Sequence, residues 1–156
     1  MLTRAARSNS HAVALKLGPG QGKSYIILMM VMELIAHAGR NIYIVVPTES
    51  LKQQFNFYMK FVGSKDRVNV IMAKEIAYSP GERPIYFVDE ADHCIDKHLF
   101  FPEDEKEWFH LNGLIAMYKA YMIFFFSGTY NRLCEDILKF CFGVVHGDIL
   151  KLPTKS

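Results

Sequence analysis

Two short runs in this 156-residue chain have residue types and spacing that can do chemistry: Gly18-Pro19-Gly20-Gln21-Gly22-Lys23-Ser24 and Asp89-Glu90. In the first, Gly20 and Gly22 allow backbone N–H groups to curl around a phosphate. Lys23 supplies a cation for β and γ phosphates, and Ser24 Oγ is a ligand for Mg²⁺. The run follows an apolar stretch and opens a helical pattern, the setting a phosphate-binding loop requires, and a helix N-terminus adds partial positive charge. The strict pattern G-x-x-x-x-G-K-[ST] asks for glycine at position 17, where Leu17 stands, while G-x-G-K-S is kept. A glycine turn carrying a surface lysine is the competing reading, and the strand–loop–helix setting weighs against it. In the second run, Pro84-Ile-Tyr-Phe-Val-Asp-Glu-Ala-Asp92, an apolar stretch ends in adjacent carboxylates, a Walker B pattern. Asp89 would hold Mg²⁺ through water, and Glu90 would orient or deprotonate an attacking water. Acid pairs after strands are often only exposed turns, but each run makes the other more telling. The expected cofactors are ATP and Mg²⁺, with GTP not distinguished.

The elements that must position these residues alternate. Ala12–Leu17 reads as a strand, Lys23–Ala38 as a helix ended by Gly39, and Asn41–Val46 as a strand closed by Pro47. Glu49–Phe61 has helical spacing, with Leu51, Phe55, Tyr58 and Met59 recurring at three and four. Val68–Met72 and Ile85–Val88 read as strands. Pro102–Ala120 reads as a helix with Glu103, Asp104 and Glu105 in its first turn, where the dipole favours acids. Tyr121–Phe126 is a continuous apolar strand, Asn131–Phe142 a helix and Val144–Leu150 a last strand. The helix Lys23–Ala38 is apolar nearly all round, which predicts burial against a sheet. Strands that alternate with helices and read as apolar runs predict an α/β layer fold with a mainly parallel sheet. Ligands in such sheets sit beyond the carboxyl ends of the strands, where both runs fall.

Composition bounds the rest. Hydrophobic residues make up 51% and charged residues 22%, which fits a globular chain. A length of 156 residues predicts one domain, 1–156. The net charge of +2, with scattered lysines and arginines, is too weak to imply nucleic acid or acidic lipid. Cys94, Cys134 and Cys141 do not make a disulfide framework and suit a reducing compartment. The two most apolar stretches, Tyr25–Ala36 and Leu114–Phe126, are broken by Glu33 and Lys119 and fall short of the roughly 18 to 20 apolar residues of a membrane span. No transmembrane segment and no secretory signal are expected.

Asp89-Glu90-Ala91-Asp92 also spells DEAD, and here a resemblance enters. The chain resembles the first RecA-like motor domain of the superfamily 2 helicases and of their relative, the SecA protein translocation ATPase. Four blocks carry it in order: LGPGQGKS (17–24) resembles motif I, PTESLKQQ (47–54) motif Ia, VDEAD (88–92) motif II and FSGT (126–129) motif III. In motif Ia, Pro47, Thr48, Leu51 and Gln54 match the form P-T-x-x-L-x-x-Q. DEADHCID (89–96) and the tail VVHGDILKLPTKS lean towards SecA. The resemblance implies a three-layer P-loop (RecA-like) fold, with the motif III strand lying between the P-loop and Walker B strands. It also implies that Ser127 and Thr129 face the motif II acids, where capping of the following helix is the plainer role. It implies a second RecA-like domain, or a longer parent chain, as partner. The translocated polymer is a polypeptide in the SecA reading, with a cytoplasmic location peripheral to a membrane, and single-stranded nucleic acid in the helicase reading.

The departures are specific. Only 35 positions separate Asp92 from Ser127, too few for the SecA preprotein-binding insertion. No glutamine precedes residue 21, so the adenine-contacting Q motif has no candidate. The sequence stops near motif III, so the arginine fingers of a second domain are expected elsewhere and hydrolysis by this chain alone is expected to be weak. A remnant fold serving as a binding module is the non-enzymatic alternative. His93, Cys94 and His98 lack the second pair that a zinc set needs. The aromatic runs Phe55–Tyr58, Phe100–Phe101 and Phe124–Phe126 read as core, because a base-stacking platform would interleave them with basic residues. Exposed parts of Phe100-Phe101-Pro102 and Trp108-Phe109 are expected to mark a docking face for the second domain.

Overall fold

Side chains on a strand alternate between faces, so an apolar run with no polar alternation must be covered on both sides. The computed structural model, which describes residues 11–18, 20, 22–37, 39–62, 65–95 and 109–143, shows this arrangement. Five strands form one sheet: β1 (Ala12–Lys16), β2 (Ile42–Val46), β3 (Val68–Met72), β4 (Ile85–Val88) and β5 (Met122–Ser127). Their order across the sheet is β1-β5-β4-β2-β3 and every pairing is parallel. The expected placement of the motif III strand between the P-loop and Walker B strands is therefore the observed one. β1 and β3 are the edges among the described residues.

Helices cover both faces. α1 (Lys23–His37) and α2 (Glu49–Met59) lie on one; α3 (Ala91–Cys94), α4 (Phe109–Tyr118) and α5 (Arg132–Phe142) lie on the other. Alternation within β5 shows why both layers are needed. Phe124 and Phe126 enter the core under α1 and α2, while Phe125 enters the core under α4 and α5. Phe124 pairs in register with Phe87 of β4 and stacks on it at 5.0 Å between ring centroids; Phe126 lies 6.2 Å from the same ring. The Phe124–Phe126 run and Phe55 are core, as expected, whereas Phe57 of α2 is exposed.

α1 is buried against the sheet, as expected: Ile27, Met30 and Val31 face it, while Tyr25, Met29 and Met32 on the far side are 67%, 43% and 51% exposed. A helix laid on a sheet buries one stripe of its circumference, and the opposite stripe stays open whatever its composition. Of the helix expected over Pro102–Ala120 the described part runs Phe109–Tyr118 and ends two residues early; Lys119 makes a turn and Tyr121 N–H already bonds Pro84 O at the entry to β5. Residues 102–108, with Trp108 and the acidic first turn, lie outside the described residues, as do Phe100, Phe101, Asp96, His98 and the strand expected over Val144–Leu150. Elsewhere among the described residues boundaries move by at most two residues. Among the described residues no helix is long and apolar enough to cross a membrane.

Candidate nucleotide site

The phosphate loop grows from the end of β1. Leu17 N–H bonds Ser127 O at 2.9 Å, so the loop leaves the sheet tied to the last residue of β5. Gly20 and Gly22 have φ of +84° and +73°, left-handed values that an L side chain resists, which is why glycine stands there. Ile26 N–H bonds Gly22 O at 2.9 Å and starts α1, so Lys23 and Ser24 occupy its first turn. β4 delivers the acids: Asp89 N–H bonds Val45 O at 2.8 Å, extending the ladder by one residue.

These two strand ends meet. Lys23 Nζ lies 2.9 Å from Asp89 Oδ1 and 3.8 Å from Glu90 Oε1. Lys23 and Asp89 are only 7% and 1% exposed. The Lys23–Asp89 contact is a buried ion pair. Burial raises the Asp89 carboxyl above its ordinary value, and the Lys23 charge offsets part of that shift. Gly20, Gly22, Lys23, Ser24, Asp89 and Glu90 line one cleft of about 510 Å³. Gly18 is buried at the root of the loop, and Pro19 and Gln21 lie outside the described residues. Sequence reading missed the other wall of the cleft, formed by Tyr25, Leu28, Leu51 and Tyr58. The one signal for Tyr25 was its place directly after Ser24.

Glu90 carries strain. Its φ of +48° and ψ of 56° make it the one non-glycine with positive φ among the described residues, and its carbonyl accepts from His93 and Cys94 N–H as α3 begins. A left-handed L-residue costs about 1–2 kcal/mol. Comparing Glu90→Ala with Glu90→Gly isolates that cost, because both remove the carboxylate and only glycine relaxes the backbone. The expected result is a Gly variant about 1 kcal/mol more stable than the Ala variant, about 2–4 °C in Tm, the reverse of the ordinary helical preference. Equal melting temperatures would show that the turn is unstrained.

The last residue of β5 meets the same acidic turn. Ser127 Oγ is 2.9 Å from Asp92 Oδ1 and 2.8 Å from Thr129 O, and accepts from Thr129 N–H at 3.2 Å. One hydroxyl proton serves both acceptors, and the carboxylate is the stronger. The acid that Ser127 touches is thus Asp92, and the Thr129 side chain is exposed. Capping of α5 falls to Asn131, whose Oδ1 accepts from Cys134 N–H at 2.7 Å. Thr48 of the motif Ia block caps the next helix: its Oγ1 accepts from Leu51 N–H at 3.2 Å as the N-cap of α2. Gln54 Nε2 donates to Tyr58 OH at 2.8 Å. Cys94 is buried and its Sγ donates to Asp89 O at 3.4 Å, beneath the acidic turn.

No protein-family model and no curated protein matches the chain. Solved structures do. A hypothetical ATP-dependent RNA helicase from Sulfolobus tokodaii superposes with a TM-score of 0.59 at 15% identity, over 85% of this chain and 45% of that one. The UvsW helicase from bacteriophage T4 superposes with a TM-score of 0.54 at 20% identity, over 85% of this chain and 52% of that one. The Phi-28 gp11 DNA packaging motor gives 0.53 at 11% identity, over 94% and 54%. The chain therefore spans about half the length of these structures. What it shares with them is its architecture, an α/β RecA-like fold on a parallel sheet.

Proposed function

We propose that this chain is the nucleotide-binding half of a helicase-like motor, holding Mg²⁺–ATP at Gly18–Ser24 and Asp89-Glu90 and working on nucleic acid with a second RecA-like domain. The observation that carries it is the buried Lys23–Asp89 pair, which sets a phosphate-binding cation and a metal-binding carboxylate 2.9 Å apart in one cleft. Lys23 contacts the β and γ phosphates, Ser24 and Asp89 hold the metal, and Glu90 orients or deprotonates the attacking water. The residues fit Mg²⁺: the Asp89 carboxylate is buried and lines the same cleft as the Ser24 hydroxyl, and a divalent cation offsets the cost of keeping that carboxylate ionised there. Mg²⁺, when bound, neutralises charge on the phosphate oxygens. Hydrolysis by these residues alone is slow, since no arginine lines the cleft among the described residues and such an arginine is worth about 10³- to 10⁵-fold.

The neighbours named above favour nucleic acid as the polymer. The lean towards SecA, with a translocated polypeptide and a place beside a membrane, draws no support from them. Calorimetry on the full chain tests the reading. Mg²⁺–ATP binding is expected to saturate and to weaken at least about tenfold when EDTA removes the metal, because Ser24 and Asp89 then lose their shared ligand. Single-stranded oligonucleotide binding is expected to weaken steeply between about 50 and 200 mM salt as counterion release loses its drive. A chain that binds no ATP under either condition is the remnant module instead.

A further inference from the structure

The cleft has two chemically different halves. Lys23, Asp89 and Glu90 make one, and Tyr25, Leu28, Leu51 and Tyr58 make the other. The first half accounts for a triphosphate and its metal, but the second has nothing to offer a phosphate. Its position is telling: Tyr25 directly follows Ser24 in the first turn of α1, beside the residues that grip phosphate, and is two-thirds exposed. Tyr58 is held in place by edge-on contacts with Phe55 and Phe57, both at 6.2 Å, and by the hydrogen bond from Gln54 to its hydroxyl. Among the described residues, the polar side-chain atoms lining this half are the two tyrosine hydroxyls. A hydroxyl donates and accepts alike, so it does not separate adenine from guanine.

We propose that this apolar half is the base site, where the nucleobase of the bound triphosphate stacks on Tyr25 and lies against Leu28, Leu51 and Tyr58. The inference rests on the nucleotide reading above and extends it to the recognition of the base. Recognition here is of the plane and not of the edge, since every base offers a π-face to an aromatic ring. A cleft of about 510 Å³ has room for a ligand of this class. The site therefore takes purine nucleoside triphosphates without choosing between ATP and GTP.

The test compares Mg²⁺–ATP, Mg²⁺–GTP and Mg²⁺–tripolyphosphate by calorimetry on the full chain, with Tyr25→Ala, Tyr25→Phe and Lys23→Ala beside it. ATP and GTP are expected to bind within about threefold of each other, and both at least about tenfold more tightly than tripolyphosphate. Tyr25→Ala is expected to weaken ATP about 5- to 100-fold while tripolyphosphate binding stays unchanged, and Tyr25→Phe to keep wild-type affinity. Because Tyr25 is largely exposed, neither change disturbs the core. If ATP binds in a Lys23-dependent way but Tyr25→Ala leaves the ATP-to-tripolyphosphate ratio unchanged, the inference is overturned. The exposed stripe Tyr25, Met29 and Met32 would then be a protein-contact face. A preference above tenfold for one purine overturns the edge-blind part. Failure of all three ligands to bind overturns the nucleotide reading and the base site with it.

Discussion

Lys23→Ala is expected to weaken Mg²⁺–ATP binding about 100-fold, ~2.7 kcal/mol, measured by calorimetry. The lysine is the buried cation of the cleft, so its loss removes a charge-assisted contact that solvent does not replace. The same change strikes the fold, because Asp89 is left buried without its counter-charge. Breaking one side of a buried pair costs about 3–5 kcal/mol, less whatever the carboxyl recovers by taking a proton. The pH dependence has a definite sign. The Asp89 pKa is already raised by burial above its ordinary value of 3.8, and removing Lys23 takes away the influence that lowers it. An acid whose folded pKa lies above its unfolded one gives stability that is present below the unfolded value and lost as pH rises towards the folded value. Lys23→Ala is therefore expected to destabilise the chain more at pH 7 than at pH 4. The double change Lys23→Ala with Asp89→Asn is expected to restore most of the melting temperature at pH 7 without restoring ATP binding. ATP affinity that survives in the single variant would remove Lys23 from the phosphate site.

Phe124→Ala is expected to lower stability by about 3–5 kcal/mol, or about 6–20 °C in Tm for a chain of this size. Phe124 is buried in β5, an interior strand of the described sheet between β1 and β4, and its ring stacks on Phe87. Truncation opens a cavity under α1 that β5, paired on both edges, cannot collapse to fill. Because β5 ends at Ser127, loosening it also frees the contact to Asp92. Phe124→Leu, which keeps most of the volume, is expected to lose less than half as much. Thermal and urea melts of the two variants measure this, and equal losses in both would mean that ring stacking, not volume, dominates the site.

The sequence by itself determined the strands of the described sheet and the residue types of the two short runs, since both are local properties. Val68–Met72 and Ile85–Val88 are read with their observed bounds because β-branched and aromatic runs between turn residues have no other stable use. Gly20 and Gly22 announce left-handed backbone, and Lys23, Ser24, Asp89 and Glu90 announce phosphate and metal chemistry, without reference to any neighbour. The placement of β5 between β1 and β4 came from the resemblance and not from hydrophobic pattern, since periodicity says which face a residue points to but not which strand lies alongside. Only the tertiary structure decided the rest. It alone showed that α1 leaves Tyr25, Met29 and Met32 open, because exposure depends on what packs against a helix and not on its own composition. It alone chose Asp92 among the motif II acids as the partner of Ser127, a contact across 35 residues of sequence. And it alone brought Tyr58 of α2 to the cleft beside Tyr25 of α1, since two helices packed side by side on one sheet face make a wall that neither encodes alone.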